Sequence, residues 1–347
     1  MNNERRFLSS ELRVMVPRRL FAFLFSVAIG MSFGYPSTAA DNPAASFPNR
    51  PVRLIVGFAP GGTADIITRI MADKLAEDWK QSVVVDNRAG ASGAIGAEIV
   101  ARSAKDGYTL GIISGTFTIL PALGQKLPFD VTKDFSVVNR VVEVPFILAV
   151  GNSPNLRNAK TFADFVAAAR SKPKLVSYAT SGPGSVSHLA SELLASAAKV
   201  EFLHVPYKGT GQAMPDILAG RVDFTLSSVP EVITFIRNKS LRAIAVGSAK
   251  RLPFLPDVAS LSESIKDFEL GNWFAFVGPS GIPRPVLEKL NADFGKAATS
   301  QKLRATWEEQ SVTGTTHSLK EVDEHYRAQL VRWAKVVKSL GLDKPGN

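Results

Sequence analysis

The chain has 347 residues, no cysteine, 45% hydrophobic and 21% charged residues, and a formal net charge of +10. This composition excludes disulfides, thiol chemistry and zinc–thiolate sites, and it is neither that of a disordered chain nor that of a multi-span membrane protein. The length exceeds that at which a single core usually splits, so two domains are expected.

The first 40 residues stand apart. Arg13, Arg18 and Arg19 precede an apolar run from Leu20 to Gly34, too short for a comfortable membrane span, and the small residues of PSTAA suit cleavage after Ala40. Residues 1–40 therefore read as a secretory signal peptide. Met15 is an alternative start, and the pairs Arg5-Arg6 and Arg18-Arg19 leave twin-arginine export open. Five arginines but only two acids fall in this segment, so the remainder is only moderately basic. Without a basic run or interleaved aromatics, nucleic acid is not the expected partner and a small anion fits better.

In the mature chain, Val52 to Phe58 is an apolar run of a strand buried on both faces. Pro60, Gly61 and Gly62 break it, and Thr63 with Asp65 is expected to cap and charge the start of a helix carrying Ile66, Ile67, Ile70, Met71 and Leu75. Glycines admit a guest to the main chain, and free N–H groups with the helix dipole favour an anion. No Lys-Ser/Thr follows and the spacing is not G-x-G-x-x-G, so nucleotide is disfavoured; a plain strand-to-helix connection is the alternative. A strand at Ser82 to Asp86, the loop Asn87 to Gly96, a helix near 97–104 and a strand at Tyr108 to Ser114 follow, with Gly115 and Thr116 at the strand's carboxyl end.

The pattern restarts at Val144 to Gly151. A helix from Thr161 to Arg170 with a Thr161/Asp164 capping pair leads to a strand ending at Thr180, then to the second glycine-serine turn, Ser181 to Ser185, which opens a helix. Glu201 to Tyr207 and Leu241 to Ser248 are further strands, and a helix is expected around Glu231 to Asn238. Glu269 to Pro283 reads as a crossover strand returning to the first domain. The chain closes on a helix with a Ser318/Glu321 capping box, the stripe Val322, Tyr326, Leu330, Trp333, Val337 and Leu340, and Gly341 at the C-cap. Repeated βα units argue an α/β fold with ligands at the carboxyl ends of parallel strands.

Two glycine-rich helix starts facing each other could grip a small anion through main-chain N–H groups. The residues are Phe58, Pro60, Gly61, Gly62 and Asp65 on one side and Ser181, Gly182, Gly184 and Ser185 on the other. Asp65 would repel a carboxylate and is assigned to bracing the loop. A β-branched residue at Gly62 would resist any left-handed backbone there. Ser185, His188 and Asp223 could be imagined as a triad, but GPGSVSH is not the G-x-S-x-G elbow, and a first-turn serine is first a cap. The four histidines lack metal-site spacing, and no cofactor is expected.

Residues 48 to 340 resemble the Bug or TctC family of periplasmic solute-binding proteins of tripartite tricarboxylate transporters. The likeness is carried by IVGFAPGGTAD, NRAGASGAIGAE, DGYTL, TSGPGSVSHLASELL, HVPYKGTG, AGRVDF and WFAFVGPSGIP. The resemblance implies a two-domain Venus flytrap with a mainly parallel sheet in each domain, 48–147 plus 272–347 and 148–271. It implies a protein without catalysis or cofactor that holds a small carboxylate in the periplasm for membrane permease subunits; a monomer is expected, though the sequence does not fix the oligomeric state. Contacts carried over fall on Phe58, Pro60, Gly61, Gly62, Asp65 and Thr116, and on Ser181, Gly182, Gly184, Ser185 and His188. Gly57 stands where a proline is frequent, and Ser227 to Glu231 lies in a variable wall, so the ligand's far end does not follow. A sensor's periplasmic input and a secreted hydrolase using the same cleft are the rival readings.

Overall fold

The computed structural model describes residues 44–266 and 268–343; the segment read as a signal peptide, with its cleavage point at Ala40, lies outside them. Among the described residues no helix is long and apolar enough to cross a membrane.

The first strand, β1 (Val52–Val56), lies between β2 (Val83–Asn87) and β3 (Thr109–Ser114) and pairs parallel with both. Paired on two edges and covered on two faces, VRLIV needs no polar alternation. The helix α1 (Thr63–Trp79) follows, burying Ala64, Ile67, Met71, Ala72 and Leu75, and ends where Lys80 turns left-handed. Its start differs from the expected cap: the N-cap is Gly62, which offers no side chain, and Asp65 sits in the first turn.

The next helix, α2 (Ala94–Ala101), begins three residues earlier than its sequence pattern suggests. The loop before it, Gly90 to Gly93, has positive φ throughout, which turns the chain directly into the helix. A single turn, α3 (Thr116–Ile119), comes after β3.

The long strand β4 (Phe135–Val150) begins nine residues before the run legible in the sequence. Register shifts between Val137 and Asn139 and between Arg140 and Val142 interrupt the two-residue alternation that would have revealed it. Then come α4 (Phe162–Ser171), with the Thr161/Asp164 capping box in place, β5 (Ser177–Thr180), α5 (Val186–Ala198), β6 (Leu203–Pro206), α6 (Thr210–Leu218), β7 (Phe224–Ser228), α7 (Val229–Arg237) and β8 (Arg242–Val246). The chain finishes with β9 (Gly271–Pro279), α8 (Arg284–Ala298), α9 (Gln301–Gln310), β10 (Thr313–Gly314) and α10 (Leu319–Ser339).

The strands follow the order β2-β1-β3-β9-β4-β7-β5-β6, with β8 and β10 also on β4. Residues 135–145 of β4 pair with β9, whereas residues 146–150 pair with β7 and β8. One strand thus belongs to both halves. The parallel pairings expected from the βα units occupy the outer strands, β2-β1-β3 and β7-β5-β6. The middle is antiparallel because the chain crosses on β4 and returns on β9, so the architecture is a mixed α/β sheet of the periplasmic-binding-protein type.

Helices cover both faces. One core joins α1, α8 and α9 to the first half, and another joins α2, α3 and Tyr326 of α10 to the opposite face. In the second half α4 and α5 pack with Trp333 and Val337 of α10, while α6 and α7 cover the other side. The last helix therefore straddles both halves. Its Ser318/Glu321 capping box and its buried Val322, Tyr326, Trp333 and Val337 match the sequence pattern, and Gly341 takes φ 68° just past its end.

Candidate functional site

Because β1, β5, β6 and β7 carry helices at their carboxyl ends, the starts of α1, α5, α6 and α7 converge on one small cavity of about 30 Å³. Its wall includes Phe58, Gly62, Thr63 and Thr116 from the first half, Ser181, Ser187, Thr210 and Ser227 from the second, and Asn272 from β9. The lining is mainly hydroxyls, amides and two further aromatic rings, Phe146 and Phe274, with one carboxylate, Glu231, and no lysine, arginine or histidine. Helix starts of this kind present unshared N–H groups and positive dipole ends, so the cavity suits an anion without a side-chain cation.

Two of those N–H groups are met from the opposite half. Gly62 leaves the amide of Thr63 uncapped, and that amide donates to Oε1 of Glu231 on α7 at 3.0 Å. Reciprocally, the amide of Val186 at the start of α5 donates to Oγ1 of Thr116 at 3.1 Å. Ala59 N donates to Lys208 O at 3.2 Å, and Ser92 Oγ donates to Pro183 O at 2.7 Å. The two halves are drawn together around the cavity.

Asp65 does not line it. Its carboxylate accepts from Gly61 N at 3.0 Å, Asn87 Nδ2 at 2.9 Å and Arg69 Nε at 3.0 Å, and these bonds hold its pKa below the usual range despite burial, which by itself acts in the opposite direction. It braces the turn to the helix. Pro60, Gly61, Gly182, Gly184, Ser185 and His188 also stand in the supporting loops and first turns, whereas Phe58, Gly62, Thr116 and Ser181 reach the wall. The left-handed glycine of the first turn is Gly61, at φ 81°; Gly62 is extended, at φ −79°.

The imagined triad is not brought together. Ser185 Oγ accepts from His188 N and meets Ser187 Oγ, as an N-cap does, and His188 Nδ1 accepts from Gly184 N. Asp223 is engaged instead by Ser153, Asn155 and Ser177. His188 stacks on His204 with ring centroids 4.1 Å apart, and burial pushes both pKa values down to about 4. Their unfolded values lie near ~6.5. Between those limits the unfolded chain binds more protons, so stability is full above pH ~6.5 and falls as pH drops toward 4. Melting temperature measured across this window should decline, and His204→Gln should flatten the slope.

Sequence reasoning missed Ser187, Thr210 and Asn272; it read Thr63 only as a cap, and it placed Ser227 to Glu231 in a variable wall without giving any of them a contact. The run KGTGQAM carried a further glycine N-cap, Gly209, ahead of Thr210, and that was the available signal for α6. Among the described residues a larger groove, about 1140 Å³ and lined by Leu252, Phe254, Trp273 and Trp333, adjoins the cavity at Val186 and Asn272. The starts of α1 and α6 do not reach it, so the anion argument belongs to the smaller cavity.

A model of the tripartite tricarboxylate transporter family receptor, TctC, matches residues 67–342. The chain belongs to the TctC, or Bug, family. Protein BugT of Bordetella pertussis is 32% identical over 316 residues, covering 90% of this chain and 96% of that one. Among solved structures, R. palustris Rpa4515 with adipate is 32% identical with a TM-score of 0.81, covering 85% of this chain and 98% of that one. MatC from Rhodopseudomonas palustris with bound malate is 28% identical with a TM-score of 0.77, covering 84% and 100%. A TctC-family receptor is a solute-binding protein, and in this chain the glycine loop before α1 and the starts of α5 and α6 are the conspicuous features of the cavity.

Proposed function

We propose that this chain is a periplasmic solute-binding receptor that captures a small carboxylate and delivers it to the membrane subunits of a tripartite tricarboxylate transporter. The observation that carries the reading is the convergence of the starts of α1, α5, α6 and α7, with their hydroxyls, on one cavity without a basic side chain. Relatives solved with adipate and with malate support a carboxylate as the guest. In this reading Gly62, Thr116, Ser181 and Phe58 contact the ligand. Pro60, Gly61, Gly182, Gly184, Ser185 and His188 shape the two loops, and Asp65 braces the first.

Residues 48–147 with 272–347 and residues 148–271 act as two bodies hinged at β4 and β9, because a cavity of about 30 Å³ must open before a metabolite enters. The receptor works as an exported monomer, released by cleavage near Ala40, and performs no reaction on its ligand.

A ligand that binds only the folded protein adds stability. At about a hundred times its dissociation constant the gain is ~2.7 kcal/mol. Thermal unfolding with mono-, di- and tricarboxylates should therefore show an upward shift for one or more of them and none for their fully amidated counterparts. Shifts produced by sugars or metal cations but by no carboxylate would overturn the proposal.

A further inference from the structure

Glu231 is the one charged residue among the described residues lining the cavity. It lies in the first turn of α7, just after Pro230, where an acid commonly faces its own helix dipole. Here it does something else. Ser228, the N-cap, makes no side-chain capping bond, and Glu231 reaches across to the amide of Thr63 at the start of α1. Part of the residue faces solvent, but its carboxylate is enclosed, and burial pushes its pKa up against the opposing effect of nearby Thr63, Thr210 and Ser227.

The hydroxyls of Thr63, Thr210 and Ser227 gather around this carboxylate and favour its charged form. The cavity thus has two unlike ends. At the α5 end Ser181 and Ser187 stand with uncharged donors; at the α1 end a protein carboxylate is already seated on the helix N-terminus. A second carboxylate brought to that end would face Glu231 with no lysine or arginine in the wall to separate the charges, an arrangement that costs binding or forces proton uptake. A guest N–H would instead make a charge-assisted bond to this carboxylate, whose other partners, Thr63 N and the neighbouring hydroxyls, are all uncharged.

We propose that Glu231 makes this cavity select a monocarboxylate whose far end donates N–H hydrogen bonds, with the ligand carboxylate at the α5 end and the donor on Glu231. This rests on the carboxylate-receptor reading and narrows it from carboxylates in general to those carrying an ammonium or amide group.

The test is calorimetric titration at pH 7 of three matched series. They are β-alanine, succinamate and succinate; 4-aminobutyrate, glutaramate and glutarate; and 5-aminopentanoate, adipamate and adipate. The tightest compound should be an ammonium or amide member, by about tenfold or more over the dicarboxylate of the same length. The ammonium and amide arms separate a need for charge from a need for a donor. Glu231→Gln keeps an acceptor for Thr63 N and should erase or invert the preference. A dicarboxylate as the tightest wild-type ligand, or an unchanged ratio in Glu231→Gln, overturns the inference while leaving the receptor reading intact. Binding by none of the nine overturns the inference, and the receptor reading then stands or falls on the broader carboxylate panel. If Glu231→Gln does not fold, the wild-type ranking alone decides.

Discussion

Gly211→Ala is expected to weaken ligand binding roughly tenfold or more while the ligand-free protein melts close to the wild-type temperature. Gly211 lies in the first turn of α6, and a methyl group there would stand 2.5 Å from Pro60 O, 3.1 Å from Gly61 C and 3.2 Å from Gly62 N. Those atoms are backbone and cannot swing aside as a side chain would. The halves must separate by most of an ångström, which as an overpacking cost is about 1 to 3 kcal/mol. If the halves hinge, the open state absorbs the methyl freely, and only the closed, ligand-bound state bears the cost. Gly61→Ala is the comparison: its φ of 81° strains the backbone, but nothing lies within 4 Å of the new atom. Calorimetric titration and thermal unfolding of the two variants decide the matter. Wild-type affinity in Gly211→Ala would mean that this contact is not part of the bound state.

Asp223→Ala is expected to lower stability by about 3 to 5 kcal/mol. Just before β7, Asp223 Oδ2 accepts from Ser177 N at 2.6 Å and Ser177 Oγ at 2.8 Å and from Asn155 Nδ2 at 3.3 Å, while Oδ1 accepts from Ser153 Oγ. Asp223, Ser153 and Ser177 are all buried. Alanine removes the acceptor and leaves several donors without a partner, and a buried unmet donor costs more than the bond itself contributes. For a chain of this size the loss corresponds to a melting temperature lower by on the order of 10 °C. Asp223→Asn, which keeps one acceptor oxygen, should fall between. Alanine protein melting within about 2 °C of wild type would show that the network is dispensable.

What was legible in the sequence was local. The final helix could be read almost in full because its capping box, its apolar stripe and its terminal glycine are all contained in it. The first half of β4 could not, since its register shifts move side chains between faces and erase the alternation. Sequence reading located both glycine turns, yet it cannot tell that Gly61 carries the positive φ while Gly62 is the side-chain-free N-cap. Gly57 looked like a departure from a family pattern; its reason is that a Cβ there would sit 2.7 Å from Gly93 O, on a loop 36 positions away. Glu231 shows the limit most clearly. Its position predicts an acid in a first helical turn, and nothing local announces that it will reach Thr63, 168 residues earlier.

The same distinction applies to the site as a whole. Individual loops announce helix starts, but only the crossing on β4 and the return on β9 bring the starts of α1, α5, α6 and α7 to one cavity. The hydroxyls that finish the wall, Thr63, Ser187, Thr210 and Ser227, are ordinary first-turn and strand-end residues until the halves meet.

The most direct measurement is calorimetric titration of the purified protein with a broad carboxylate panel, followed by chemical analysis of the recovered ligand. The account expects at least one small carboxylate to bind at one equivalent per chain, to be recovered unchanged, and to lose affinity in Gly211→Ala. A panel without a binder, or a bound carboxylate returned as a different compound, would contradict it.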